Sequence, residues 1–94
     1  INQAAKRYNQ ALDYCYQRCE DQAVLQLKKA IEMHPTYVKA YQLLALLYIM
    51  DEQYSEARKN IRIAHKLDKT DDITMRYMHE LNQVRKSKKT DGNL

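Results

Sequence analysis

Ninety-four residues with 45% hydrophobic and 30% charged side chains supply one modest core and exclude a disordered tail. A single glycine, Gly92, and a single proline, Pro35, leave too little turn chemistry for a sandwich or barrel, so the chain is expected to be all-α. Most of the net charge of +4 sits at the end: Arg85, Lys86, Lys88 and Lys89 face only Asp91 in the last ten residues, which leaves twelve basic and eleven acidic side chains before them.

In chain order, the first helix is expected from about Gln3 to Gln17, with an apolar stripe of Ala4, Tyr8, Ala11, Leu12 and Cys15. A second runs from about Asp21 to His34, stopped by Pro35. Thr36 can cap a third that ends near Asp51 and buries Ala40, Tyr41, Leu44, Ala45, Leu47 and Tyr48. The fourth extends from about Tyr54 to Leu67, with Tyr54, Ala57, Ile61, Ala64 and Leu67 on one face. The fifth, from about Asp71 to Lys86, opens on acids, closes on bases and carries Ile73, Tyr77, Leu81 and Val84 as its stripe. Residues 88–94 read as a basic, polar tail or linker beyond a folded unit of residues 1–87.

The chain also matches itself. One constant shift places Ala11 on Ala45, Leu12 on Leu46, Tyr14 on Tyr48, Ala23 on Ala57 and Ala30 on Ala64. Alanines at fixed spacing mark helix crossings, because helices approach to about 8 Å only where both present small side chains.

These residues resemble the tetratricopeptide repeat, a helix-turn-helix whose period equals that shift and whose pattern runs W-x2-L-G-x2-Y, A-x3-F, P. The second copy supplies Tyr41-x2-Leu44-Ala45-x2-Tyr48 and Ala57-x3-Ile61, with Lys69 in place of the closing proline. The first copy keeps Ala11, Tyr14, Ala23, Leu27, Ala30 and Pro35, and departs at Arg7, Gln10 and Glu20. The resemblance implies stacked repeats in an α-α superhelix of five helices: repeat 1 over about 4–34, repeat 2 over about 35–70, and a cap helix over about 71–87. With Ile1 at the start and a charged end, the chain reads as a piece of a larger bacterial protein of this kind, an upstream helix covering the out-of-phase stripe of the first helix. A similarity to bacterial proteins that carry such repeats on the cytosolic side of a membrane anchor points the same way.

The resemblance also implies function. Such arrays are scaffolds that hold a peptide or partner helix on a concave face lined by the first helix of each repeat. Carried over position by position, the lining residues are Ala5, Tyr8, Leu12, Cys15 and Tyr16, then Lys39, Gln42, Leu46, Ile49 and Met50. Ile73, Arg76 and Glu80 join them if the last helix continues the array. Leu46, Ile49 and Tyr16 are the expected anchors, with Lys39 and Arg76 setting charge preference. Family members that clamp the C-terminal carboxylates of chaperones have Lys and Asn where this chain has Tyr8 and Leu12, and Asn where it has Leu43, so that clamp is not expected.

Other chemistries find no support. Cys15 and Cys19 lie four apart, and His34, His65 and His79 are scattered, so no metal or other cofactor is expected. No Ser/His/Asp grouping, phosphate loop or catalytic carboxylate pair occurs, and an enzyme is not expected. The longest apolar run, Leu43 to Met50, is far short of the ~20 residues of a transmembrane helix. With no signal peptide and two reduced thiols, a cytoplasmic setting follows. Binding of nucleic acid or an anionic surface through the basic tail is the alternative function, and self-association through the apolar face a third.

Overall fold

The computed structural model describes residues 2–92, with side chains through residue 84. Five helices follow in order: α1 (Gln3–Tyr16), α2 (Glu20–Met33), α3 (Val38–Met50), α4 (Tyr54–Leu67) and α5 (Asp72–Gly92). α1 pairs with α2 and α3 with α4 as antiparallel hairpins, α2 packs on α3, and α5 closes the array against α4 and α3. The molecule is 52 Å long and 18 Å thick, which is two helix layers.

The period of the sequence is written into the backbone. α2 and α4 have equivalent bounds, since Glu20 and Tyr54 stand one period apart, as do Met33 and Leu67. The turns within the hairpins are also superimposable: Cys19 N–H donates to the Tyr14 carbonyl and Gln53 N–H to the Tyr48 carbonyl, each at 2.8 Å. Arg18 N–H reaches the Cys15 carbonyl at 3.1 Å and Glu52 N–H the Ile49 carbonyl at 3.0 Å. This pair of bonds is a Schellman closure, which needs a left-handed residue just past the helix. Arg18 (φ 60°) and Glu52 (φ 58°) fill that place without being glycine.

Helix starts use different devices. The Asn2 side chain accepts from Ala4 N–H at 2.9 Å and caps α1, and Asp71 Oδ1 accepts from Thr74 N–H at 3.0 Å at the start of α5. The Thr36 cap expected for α3 is not formed. Tyr37 is the N-cap residue and makes no side-chain cap bond; Tyr37 N–H closes the turn on the His34 carbonyl, and the Tyr41 hydroxyl donates to the Pro35 carbonyl at 2.7 Å. Backbone groups on either side of Thr36 are thus already engaged.

The core follows the alanines. Ala11, Ala23 and Ala30 and their counterparts Ala45, Ala57 and Ala64 have no exposed surface, and Leu27, Leu44, Tyr41, Ile61 and Leu81 fill the space between them. Arg7, which stands where the family pattern has an aromatic, donates through Nη1 to Oε1 of the buried Gln26 at 2.9 Å, so the first hairpin is joined there by a polar contact. Part of the α1 stripe is covered among the described residues: Ala4 is 1% exposed and Tyr8 and Cys15 pack against the core, while Leu12 stays half-buried.

α5 departs from expectation in two ways. It continues to Gly92, so most of the expected tail is helical; residues 85–91 contain no proline or glycine to break it before Gly92. Residues 93–94 lie outside the described residues. Its buried face is Thr74 and Leu81, with Tyr77 and Met78 beside them, while Ile73 is 48% exposed. Thr74 displaces Ile73 because its hydroxyl accepts from Gln42 Nε2 at 2.9 Å, a match an apolar count cannot register.

Two stability measurements follow. Ala57→Leu is expected to cost about 1 to 3 kcal/mol by overpacking a helix crossing, read as a lower melting temperature. Glu52→Gly is expected to gain about 0.5 to 1 kcal/mol by removing the left-handed strain, raising the melting temperature by roughly 2 to 8 °C. Glu52→Ala retains the Cβ, so a gain there would assign the effect to charge rather than conformation.

Candidate functional site

α3 is apolar on nearly its whole circumference, and it packs on α2, α4 and α5 but not closely on α1. Between the C-terminal halves of α1 and α3 lies a cavity of about 250 Å3 lined by Leu12, Cys15, Tyr16, Glu20, Leu43, Leu46, Leu47 and Met50. Five sequence-assigned groove residues, Leu12, Cys15, Tyr16, Leu46 and Met50, therefore meet in one place. Tyr16 and Met50, at equivalent positions of the two repeats, flank it at 87% and 64% exposure, and Leu12 and Leu46 are half-buried. Exposed apolar surface gathered in this way is unusual for a lone domain.

The other assigned residues lie elsewhere. Gln42 is buried: its Nε2 donates to Asp71 Oδ1 at 2.6 Å and to Thr74 Oγ1 at 2.9 Å, tying α3 to α5. Tyr8, its counterpart in the preceding repeat, leans on Tyr37 with ring centroids 5.6 Å apart, and Tyr37 is the counterpart of Asp71. The same joint between successive repeats is thus aromatic at one level and polar at the next. Ile49 packs against the core and is absent from the cavity wall. Ala5 is half-buried, and Lys39, Arg76, Ile73 and Glu80 lie on α3 and α5 outside the cavity, all four exposed.

Sequence reasoning missed Leu43, Leu47 and Glu20 as lining residues. The signal was the unbroken run Leu43 to Met50, which has more apolar side chains than one buried face can hold.

The electrostatics of the site activate no nucleophile. Burial, reinforced by the Glu20 carboxylate, pushes the Cys15 thiol up, so it is not an activated nucleophile. Burial first, then Tyr37, Tyr77 and Cys15, raises Tyr8; burial, with Glu80 adding to it, raises Tyr77. Cys15 and Cys19 are both free. Among the described residues no three His, Cys, Asp or Glu side chains are grouped to hold a metal ion, and no helix is long and apolar enough to cross a membrane.

Residues 27–59, which run from the middle of α2 through α3 into α4, match the family model of the tetratricopeptide repeat. No curated protein matches the chain. The match and the five-helix array agree, and together they support a tetratricopeptide repeat domain. Repeats of this family generally mediate protein–protein interaction and are typically not catalytic.

The raised tyrosines fix the alkaline behaviour. Each folded-state value lies above the ordinary 10.0, so their contribution is complete below that pH and is lost as pH rises through the folded value. The melting temperature is expected to be level from about pH 7 to 9 and to fall above about 10, with a shallower fall in Tyr8→Phe.

Proposed function

We propose that the domain binds a peptide or helix of a partner protein in the cleft between α1 and α3, with the concave face as the docking surface. The observation that carries this reading is the convergence of Leu12, Leu43, Leu46, Leu47 and Met50, from two helices, on one open apolar cavity. Burial supplies the driving force: at about 25 cal/mol per Å2, one apolar side chain seated there contributes about 1.5 to 3 kcal/mol. Leu46 and Tyr16 are the anchors, since both line the cavity and retain exposed surface. Lys39 and Arg76, beyond the cavity, act on the more distant parts of a bound segment. Two free cysteines fit a reducing compartment, and we place this activity in the cytoplasm.

Leu46→Glu is the variant that tests the cleft. The residue lies on the cavity wall and is not among the side chains packed on the core, whereas a charge at Ile49 would act on the core itself. Partner binding is expected to fall by at least tenfold with the helical circular-dichroism signal and melting temperature preserved. Undiminished binding in a folded Leu46→Glu protein removes the cleft from the reading.

A further inference from the structure

Next to the apolar cavity lies a larger depression of about 680 Å3, at the tip of the first hairpin and the end of α3. The two share Glu20, Leu47 and Met50 and are therefore continuous. The charged groups of the combined wall are Glu20, Asp21 and Asp51 against Arg18, a net negative lip on a body with a slight positive excess.

Local helix chemistry explains part of this. Glu20 and Asp21 lie in the first turn of α2, where an anion is favoured. Asp51, the C-cap residue of α3, lies at the negative end of that helix, where an anion is disfavoured; its carboxylate accepts from the neutral Gln53 amide and keeps its charge. Its counterpart in the first repeat, Gln17, is neutral. Among the described residues the one salt bridge is Lys59 to Glu56, so none of the three lip acids is neutralised by a cation of the described chain. Glu20 is also near enough to Cys15 for its charge to be felt in the cavity. A separate depression lined by α2, α3 and α4 provides the contrast: Lys28 and Lys59 balance Glu32 and Glu56 there, and it has no net sign.

We propose that the cleft is selective for a cationic amphipathic segment of a partner protein, its apolar side chain entering the Leu12–Leu46–Met50 cavity and its Lys or Arg seated against Glu20, Asp21 and Asp51. The inference rests on the docking reading above and adds the charge and direction of the occupant. Because the two depressions share Glu20, Leu47 and Met50, the basic group follows the apolar anchor closely, on the side facing the hairpin tip. Charge complementarity of this kind sets partner choice and register more than total affinity.

The test uses the 94-residue chain and two fluorescein-labelled synthetic helical peptides. They are identical in a leucine-bearing face and differ only in carrying lysines or glutamates one turn from it. Anisotropy titrations at about 20 and 200 mM salt are run on the wild type, Asp51→Lys and Leu46→Glu. A lysine at a helix C-terminus is dipole-favoured, so Asp51→Lys is expected to fold at least as well as the wild type. The wild type is expected to prefer the lysine peptide by roughly five- to tenfold at low salt. That preference shrinks at high salt, falls to parity or reverses in Asp51→Lys, and disappears with all binding in Leu46→Glu. Equal affinity for the two peptides, still dependent on Leu46, overturns the charge selectivity and leaves the cleft standing. Binding that survives Leu46→Glu, or no binding of either peptide at millimolar concentration, overturns both. A concentration-dependent mass of the unliganded chain that Asp51→Lys abolishes gives the surface to a second copy, through its basic α5 end, and overturns the proposal.

Discussion

Close approach of helices at alanine is the constraint on which the rest of this molecule depends. Six alanines at the repeat period, all without exposed surface, bring the helices of each hairpin and of successive hairpins together. Only small side chains allow that approach, and the result is a body 18 Å thick. A two-layer array has no deep interior in which to hide a helix that is apolar all round. α3 is such a helix, and Leu43, Leu46 and Met50 line the open cavity beside α1. The apolar cleft is thus a consequence of thin packing combined with an over-apolar central helix.

The joints between repeats decide where the cleft opens. At one level Tyr8 leans on Tyr37; at the next, Gln42 bonds Asp71 and Thr74. The polar joint draws α5 directly onto α3, with Asp71 also capping α5, so one carboxylate fixes both the start of that helix and its seat. The aromatic joint holds only the N-terminal half of α1 against the turn before α3. The C-terminal halves of α1 and α3 stay apart, and the cavity occupies that gap.

Much of this was legible in the sequence because periodicity reports contact geometry. The match of the chain to itself fixed the hairpins, and the bounds of α4 agree residue for residue with expectation. Five of the ten assigned groove residues meet in the cavity because their repeat positions face inward whatever the side chain. Tyr8 and Gln42 occupy one shared repeat position and were assigned by position alone; what they do depends on the residue opposite, Tyr37 or Asp71, which a single-helix pattern does not reveal. Thr74 and Ile73 exchange roles for the same reason, since a buried threonine is satisfied only by a partner such as Gln42. Glu20 was read as a departure from the repeat pattern, and the cavity wall gives that departure a location.

The size of the cavity limits what the apolar part can achieve alone. About 250 Å3 receives one large side chain, or two small ones, for about 1.5 to 3 kcal/mol each. Association costs about 4 kcal/mol or more in lost translational and rotational freedom before side-chain ordering is counted. One anchor cannot offset that, so a useful partner must extend beyond the cavity. Toward the hairpin tip the adjoining surface is the larger depression with its acids; elsewhere on α3 and α5 stand Lys39 and Arg76. On the proposed docking reading, unlike charge beyond the ends of the cleft would favour one direction of a bound segment over the other. Affinity then depends on how much of the face is spanned, and specificity on which charged end lies against the lip.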